Sequence, residues 1–196
     1  TNRLLASETT VSISNGNTAA VPTVVFDAKR DFGAKGDRIA DDTEAIQKTI
    51  DAARTHEKGA IAYLPTGTYV VTKPLRVTGK NYFIGGTGFR TGLLWKGPEG
   101  GNIMEVVDPQ HITVENLNIG SHDVASTMNN ACDILQTGTA PSSEILYDDV
   151  SVWGMYQKDP FHKGLWLRDL GAGAVVRVSH VQGNIHLVDA ARASRL

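Results

Sequence analysis

The stretch Asp31–Val71 reads DFGAKGDRIADDTEAIQKTIDAARTHEKGAIAYLPTGTYVV, and its changes of hydrophobic period decide the fold. Asp41 stands three residues before Glu44, the spacing of a capping box, in which each side chain satisfies a free first-turn donor of the other. Asp42 adds negative charge near the positive end of the helix dipole. Ile46, Ile50 and Ala53 recur at i, i+4 and i+7, so one apolar stripe runs along a helix predicted over Asp41–Thr55. Gly59 follows shortly after that pattern ends. The acidic group Asp37, Asp41, Asp42 and Glu44 is read as capping and turn chemistry rather than a metal or catalytic site. After Gly59 the period changes. Ala60–Leu64 is an apolar run too short for a helix and bounded by turn residues, hence a buried strand. Pro65-Thr66-Gly67-Thr68 supplies a turn, and Tyr69-Val70-Val71 leaves it as a second strand.

Those residues carry a family resemblance. The pattern DFGAKGDxxxDDTxAIQxxIDAA, followed by AYLPxGTYVV, resembles the N-terminal signature of the pectate-lyase-like superfamily. Its members are right-handed parallel β-helix proteins, including polysaccharide lyases, glycoside hydrolases and phage tailspike depolymerases. The resemblance spans Asp31–Val71 and implies that the helix caps the open end of a solenoid, with Ile46 and Ile50 covering the first coil. Arg38 departs from the pattern, standing where the family often has glycine. The motif does not specify a reaction.

The bulk properties suit that architecture. The chain has 196 residues with 20 glycines and 7% aromatics, as expected of short strands joined by tight turns. Its net charge of −2 offers no electrostatic footprint for nucleic acid or an anionic membrane. No apolar run approaches the roughly 20 residues that span a bilayer. Cys132, the single cysteine, has no internal disulfide partner and is read as a small core residue. Residues 1–22 are rich in Thr, Ser, Asn and Ala and read as an arm or linker; residues 23–196 read as the β-helix domain.

Beyond Val71 short apolar runs alternate with turns. Leu75–Val77, Tyr82–Ile84, Leu93–Trp95 and Ile103–Val107 are separated by Gly-, Asn- and Pro-containing segments. Gly85-Gly86-Thr87-Gly88 lacks the Lys-Ser/Thr of a phosphate loop and is read as a turn. Three segments then resemble one another: HITVENLNIG (His111–Gly120), EILYDDVSVWG (Glu144–Gly154) and AVVRVSHVQG (Ala174–Gly183). Self-similarity at such a spacing marks a solenoid. Successive turns are expected to stack matching side chains into ladders, with Leu117, Ile119, Val150, Val152 and Val181 as candidates. Asn116 and Asp149 occupy matching places, with a predicted turn role.

Chemistry is expected in the loops that interrupt the repeat. Ser121–Asn130 and Met155–Lys163 stand out. The catalytic candidates are His122, Asp123, Asp159 and His162; the substrate-binding candidates are Tyr156, Phe161, Lys163 and Arg168, aromatics to stack on sugar faces and cations for polar contacts. A glycosidase needs two carboxylates across a cleft, and a lyase needs a base plus positive charge. Asp123, Asp148, Asp159 and Asp169 are available acids, but their spacing selects no pair. His111, His180 and His186 are read as structural or surface residues. The polygalacturonase motifs and the calcium-and-arginine signatures of pectate lyases are absent, no cysteine–histidine cluster has zinc spacing, and no cofactor or metal is implied. Ala190–Leu196 stops without a cap, which predicts further coils of the same protein or a neighbouring subunit as partners. Two functions stay open. One is a secreted, extracellular enzyme cleaving a polysaccharide or oligosaccharide as a glycoside hydrolase or polysaccharide lyase. The other is a non-catalytic glycan-binding or tailspike-like module.

Overall fold

A computed structural model describes residues 22–56, 58–98, 100–120, 132–138, 140, 143–152, 163–171, 173–179, 181–183 and 185–187. The chain winds in coils of three segments. The first coil is β1 (Val25–Asp27), β2 (Asp37–Asp41) and α1 (Thr43–Thr55). The second is β3 (Ile61–Tyr63), β4 (Gly67–Val71) and β5 (Leu75–Val77). The third is β6 (Lys80–Gly85), β7 (Thr91–Trp95) and β8 (Met104–Val107). Then β9 (Gln110–Gly120) and β10 (Cys132–Gly138) form the fourth, and β11 (Glu144–Val152) and β12 (Lys163–Leu170) the fifth. The sixth is β13 (Val175–Val178), β14 (Val181–Gly183) and β15 (Ile185–Leu187).

Stacking the coils generates three legs, all paired in parallel. The first leg is β1-β3-β6-β9-β11-β13, using the first halves of β9 and β11. The second is β2-β4-β7 with the second halves of β9 and β11, then β14. The third is a separate sheet, β5-β8-β10-β12-β15. Parallel strands joined by crossovers wind right-handed for the steric reasons that twist each strand. The molecule is the right-handed parallel β-helix that its sequence implied.

The core is built from ladders. On the first leg Ala62, Ile84, Val114 and Tyr147 stack in register and are fully buried. On the second leg Leu117 pairs with Val150 and Val150 with Val181, and Ile119 pairs with Val152. On the third, Leu75, Met104, Ile134 and Leu165 do the same. The internal repeat is therefore a register of core positions. Buried tyrosines place their hydroxyls on acceptors: Tyr69 donates to the Pro65 carbonyl at 2.6 Å, Tyr82 to the Thr78 carbonyl at 2.9 Å and Tyr147 to Gln136 Oε1 at 2.8 Å. Burial pushes the Tyr69 and Tyr82 phenols up, so they remain neutral donors.

Helix α1 takes the place of a third strand in the first coil. Ile46, Ile50 and Ala53 are fully buried beneath it, each isoleucine contributing about 1.5–3 kcal/mol. The Gln47 amide completes the closure. Its Nε2 donates to the Arg76 carbonyl at 3.1 Å, and its Oε1 accepts from the Arg76 N–H at 2.8 Å. One side chain thus satisfies the backbone of β5, the edge strand of the third leg.

The helix start differs from the expectation. It begins at Thr43, with Asp42 in the cap position and no side-chain cap bond, so the Asp41–Glu44 box does not form. Both aspartates serve longer-range contacts instead. Asp41 accepts from the Thr43 N–H at 3.0 Å and from the Thr72 hydroxyl of the second coil at 2.7 Å. Asp42, buried, accepts from the backbone N–H groups of Lys35 at 2.6 Å and Gly36 at 2.9 Å. A charge-assisted bond to backbone is about twice as strong as a neutral one, and here it ties the Asp31–Gly36 turn to the helix.

Candidate functional site

Residues that alternate with a buried ladder must face outward, so the core of the first leg fixes its outer surface. The outward row next to Ala62, Ile84, Val114 and Tyr147 is Tyr63, Gly85, Glu115 and Asp148, in register on four successive coils. A Cβ on Gly85 would stand 3.1 Å from Glu115 Cγ. Glycine at that position lets the Glu115 side chain lie close against the strand below. Burial, and secondarily the neighbouring charge of Asp148, raise the Glu115 carboxyl above the ordinary glutamate range. Two acids thus stand opposite each other on adjacent strands, one of them biased toward its protonated form.

One row further along the same strands come Ile61, Phe83, Thr113, Leu146 and Arg177. Phe83 and Leu146 floor a cavity of about 300 Å³. At its rim His111 Nδ1 lies 3.0 Å from Glu144 Oε2, and the Arg177 guanidinium pairs with Glu144 Oε1 at 3.1 Å. Rows two residues apart on a strand are separated by about 6.6 Å. The acid pair thus lies one row beyond the cavity on the same outer face of the first leg, outside the cavity's own lining. Among the described residues no group of three or more His, Cys, Asp or Glu could hold a metal ion.

Most sequence-predicted site residues are placed elsewhere or not described. His122, Asp123, Tyr156, Asp159, Phe161 and His162 lie outside the described residues. Lys163 opens β12, with only its backbone described. Arg168 sits on the third leg, its guanidinium 4.8 Å from the Trp166 ring centre and 3.5 Å from Asp169, away from the acid pair of the first leg. Of the four acids named from sequence, Asp148 stands beside Glu115 on the outward row and Asp169 takes a left-handed backbone, φ 50°, on β12. Glu115 was missed. Superposing HITVENLNIG on EILYDDVSVWG through Asn116 and Asp149 sets Glu115 beside Asp148, which was the available signal. Asn116 and Asp149 themselves carry φ of 54° and 50° and turn the chain between legs, in keeping with their predicted role. His111 is exposed at the cavity's rim, its Nδ1 against Glu144.

Comparison with known proteins agrees with the architecture. Residues 26–94 match the family model described as rhamnogalacturonase A/epimerase, pectate lyase-like, which bears out the resemblance read from Asp31–Val71. The matched segment ends before Glu115. A protein of Arthroderma benhamiae named probable glucan endo-1,3-beta-glucosidase is 46% identical over 59 residues, covering 26% of this chain and 7% of that one. Alginate lyase 7 of Azotobacter vinelandii is 56% identical over 43 residues, covering 22% of this chain and 5% of that one. The match thus spans less than a tenth of either relative's length. Among solved structures, the ORF18 protein of Geobacillus virus E2 superposes with a TM-score of 0.49 at 26% identity, over 67% of this chain and 26% of that one. The matched segment near the N-terminus is thus similar to proteins named as a glucan endo-1,3-beta-glucosidase and an alginate lyase.

Proposed function

We propose that the protein is an extracellular, polysaccharide-cleaving β-helix enzyme, or part of one, acting as a glycoside hydrolase through the acid pair on the outer face of the first leg. The observation that carries this reading is the placement of Glu115 beside Asp148, with Glu115 held toward its protonated form by burial. A carboxyl biased toward its protonated form can donate to a departing glycosidic oxygen, while a neighbouring carboxylate stabilises positive charge at the anomeric carbon or attacks it. Neighbouring strands lie about 4.8 Å apart. Side chains opposite each other on such strands can bring two carboxyl groups to the two sides of one glycosidic bond, as both retaining and inverting hydrolysis require. Phe83 and Leu146, one row away on the same face, offer an apolar surface for a sugar ring.

The test is a product assay on a panel of polysaccharides that follows reducing ends and unsaturated-uronate absorbance together. Reducing ends without the absorbance support hydrolysis. Appearance of the absorbance moves the reaction to β-elimination, and no product from any substrate counts against an enzyme.

The second reading is a non-catalytic glycan-binding or tailspike-like module. The His111–Glu144–Arg177 group favours it, because its charges satisfy one another and leave the Phe83–Leu146 strip as a binding face without chemistry. Saturable glycan binding with no product distinguishes this reading.

A further inference from the structure

Gly85 is a glycine that its own backbone does not require. It ends β6 outside the left-handed region that glycine alone occupies freely. Its carbonyl accepts from the Leu64 N–H at 2.8 Å, and it stands in register between Tyr63 of β3 and Glu115 of β9. Glycine in a ladder weakens the strand and marks a close approach. Here a side chain makes that approach. A Cβ on Gly85 would stand 3.1 Å from Glu115 Cγ and 3.5 Å from Glu115 Oε1. The space left by the missing side chain is therefore occupied by the Glu115 arm. Gly92, an outward glycine on the second leg, supplies the contrast: a Cβ there would meet nothing closer than 3.8 Å.

The order of the strands gives this contact a direction. β9 lies between β6 and β11, so a carboxyl lying over Gly85 is on the opposite side of β9 from Asp148. Few charged groups surround it. From β11 it is faced by Asp148, the neighbour whose charge bears on it. Asp149, at the corner, sends its carboxylate toward Gly88, 3.9 Å from where a Cβ would stand. Lys80 opens β6 at its far end. Arg90, in the 3₁₀ turn Gly88–Arg90, lines the outer face of the second leg beside Thr68 and Gly92. Lys58, His111, Glu144 and Arg177 line the cavity, which Glu115 does not.

We infer that Gly85 is a positioning residue for the acid pair: its missing side chain is the berth that holds the Glu115 carboxyl against the strand, away from Asp148. The inference deepens the hydrolase reading above and rests on it for its meaning in catalysis. In the berth the carboxyl is half-buried, and burial is the larger cause of its bias toward the protonated form, with the Asp148 charge the smaller. The ionisation of the acid is thus set from the strand beneath it, by a residue that touches no substrate.

The test reads the carboxyl itself. Carbon-13 NMR of the full chain follows Glu115 through a pH titration, its resonance assigned by its loss in Glu115→Gln. The unaltered protein titrates above the ordinary glutamate value of 4.5. Gly85→Ala keeps a melting temperature close to that of the unaltered chain, because the backbone there suits alanine. It moves the Glu115 midpoint downward, because the new methyl group pushes the carboxyl into water. The same downward shift appears in an Asp148→Asn background, where the second acid no longer contributes. Gly92→Ala leaves the midpoint in place. An unaltered protein that titrates at the ordinary value, an unchanged or raised midpoint in Gly85→Ala in either background, or an equal shift in Gly92→Ala overturns the inference. So does loss of the melting transition in Gly85→Ala, which would give the glycine a role in the ladder alone. Where a polysaccharide is hydrolysed, the alkaline limb of the rate profile moves to lower pH in Gly85→Ala together with the NMR midpoint, and a limb that stays put also overturns it. A shifted midpoint with no product from any polysaccharide sinks the hydrolase reading and leaves the berth standing.

Discussion

Strand β9 passes Asn116 and turns from the first leg to the second, and its outer surface changes character at that point. Before the turn it shows Thr113 and Glu115, beside Leu146 and Asp148 of the next coil. After it, the strand shows Asn118 beside Gly92 and Ser151, with arginines nearby. Inward, the two halves are alike: Val114 and Ile119 are both fully buried and both continue aliphatic ladders. The difference teaches where each kind of information resides. The inward alternation maintains the coil, and the outward alternation is free to carry acid on one leg and base on the other without disturbing it.

The sharpest way to break that separation is to exchange roles between adjacent residues. Val114→Asp buries an unpaired carboxylate in the ladder, which costs several kcal/mol, so the chain should lose its cooperative melting transition. Glu115→Gln, one residue away, should retain the β-rich circular dichroism spectrum and lose about 10²–10⁴ of any hydrolytic rate. If Glu115→Gln unfolds the protein while Val114→Asp does not, the assignment of inner and outer rows is wrong.

A milder change probes the same row by truncation. Ile84→Ala in the third coil removes fully buried methyl groups and should cost about 2–5 kcal/mol in urea denaturation. Tyr63→Ala in the outer row should cost much less and act on substrate affinity.

The pH dependence separates the acids of the two ends. Glu115 is raised in the folded state, so folding favours its protonated form. Its contribution is fully present below the ordinary glutamate value of 4.5 and is lost as pH rises through the raised value. Asp37 is lowered, chiefly by the Ala40 N–H. The lowering of Asp41, opposed by burial as the largest influence, comes from the Thr43 and Thr72 bonds. For both, stability is present above the ordinary aspartate value and is lost as pH falls. Glu115→Gln should therefore raise the melting temperature at neutral pH and have no such effect in acid, whereas Asp41→Asn should weaken the fold most at neutral pH. A melting curve series across pH for the two variants reads both signs.

The smallest expected effect concerns the turn itself. Asn116→Gly relieves a left-handed backbone of φ 54° and should change stability by no more than about 0.5–1 kcal/mol. A larger loss would mean that the Asn116 side chain holds the corner between the legs.

The architecture was legible because its determinants are periodic and local. The Ile46–Ile50–Ala53 stripe, the short run Ala60–Leu64 and the three glycine-ended repeats each state a period, and the period names the element. The helix start was not, because the Asp41 carboxylate is engaged by Thr72 in the next coil, a contact invisible to a local capping rule. The acid pair was half legible. Asp148 was noted as an acid, yet a carboxylate gains chemical meaning here only from its neighbour across the ladder, 33 positions earlier in the chain, and from the space that Gly85 leaves for it. Attention to the loops drew the candidates toward His122, Asp123, Asp159 and His162, on segments outside the described residues.

The Gln47 amide has a consequence for how this molecule lives in a crowded solution. A sheet margin with a bare N–H and C=O is an invitation to any extended peptide, and β5 would issue it at Arg76. By offering one donor and one acceptor in the geometry of a missing neighbour, Gln47 acts as a decoy that is already seated. A Gln47→Ala chain should self-associate as its concentration rises, with light scattering increasing well before secondary structure is lost.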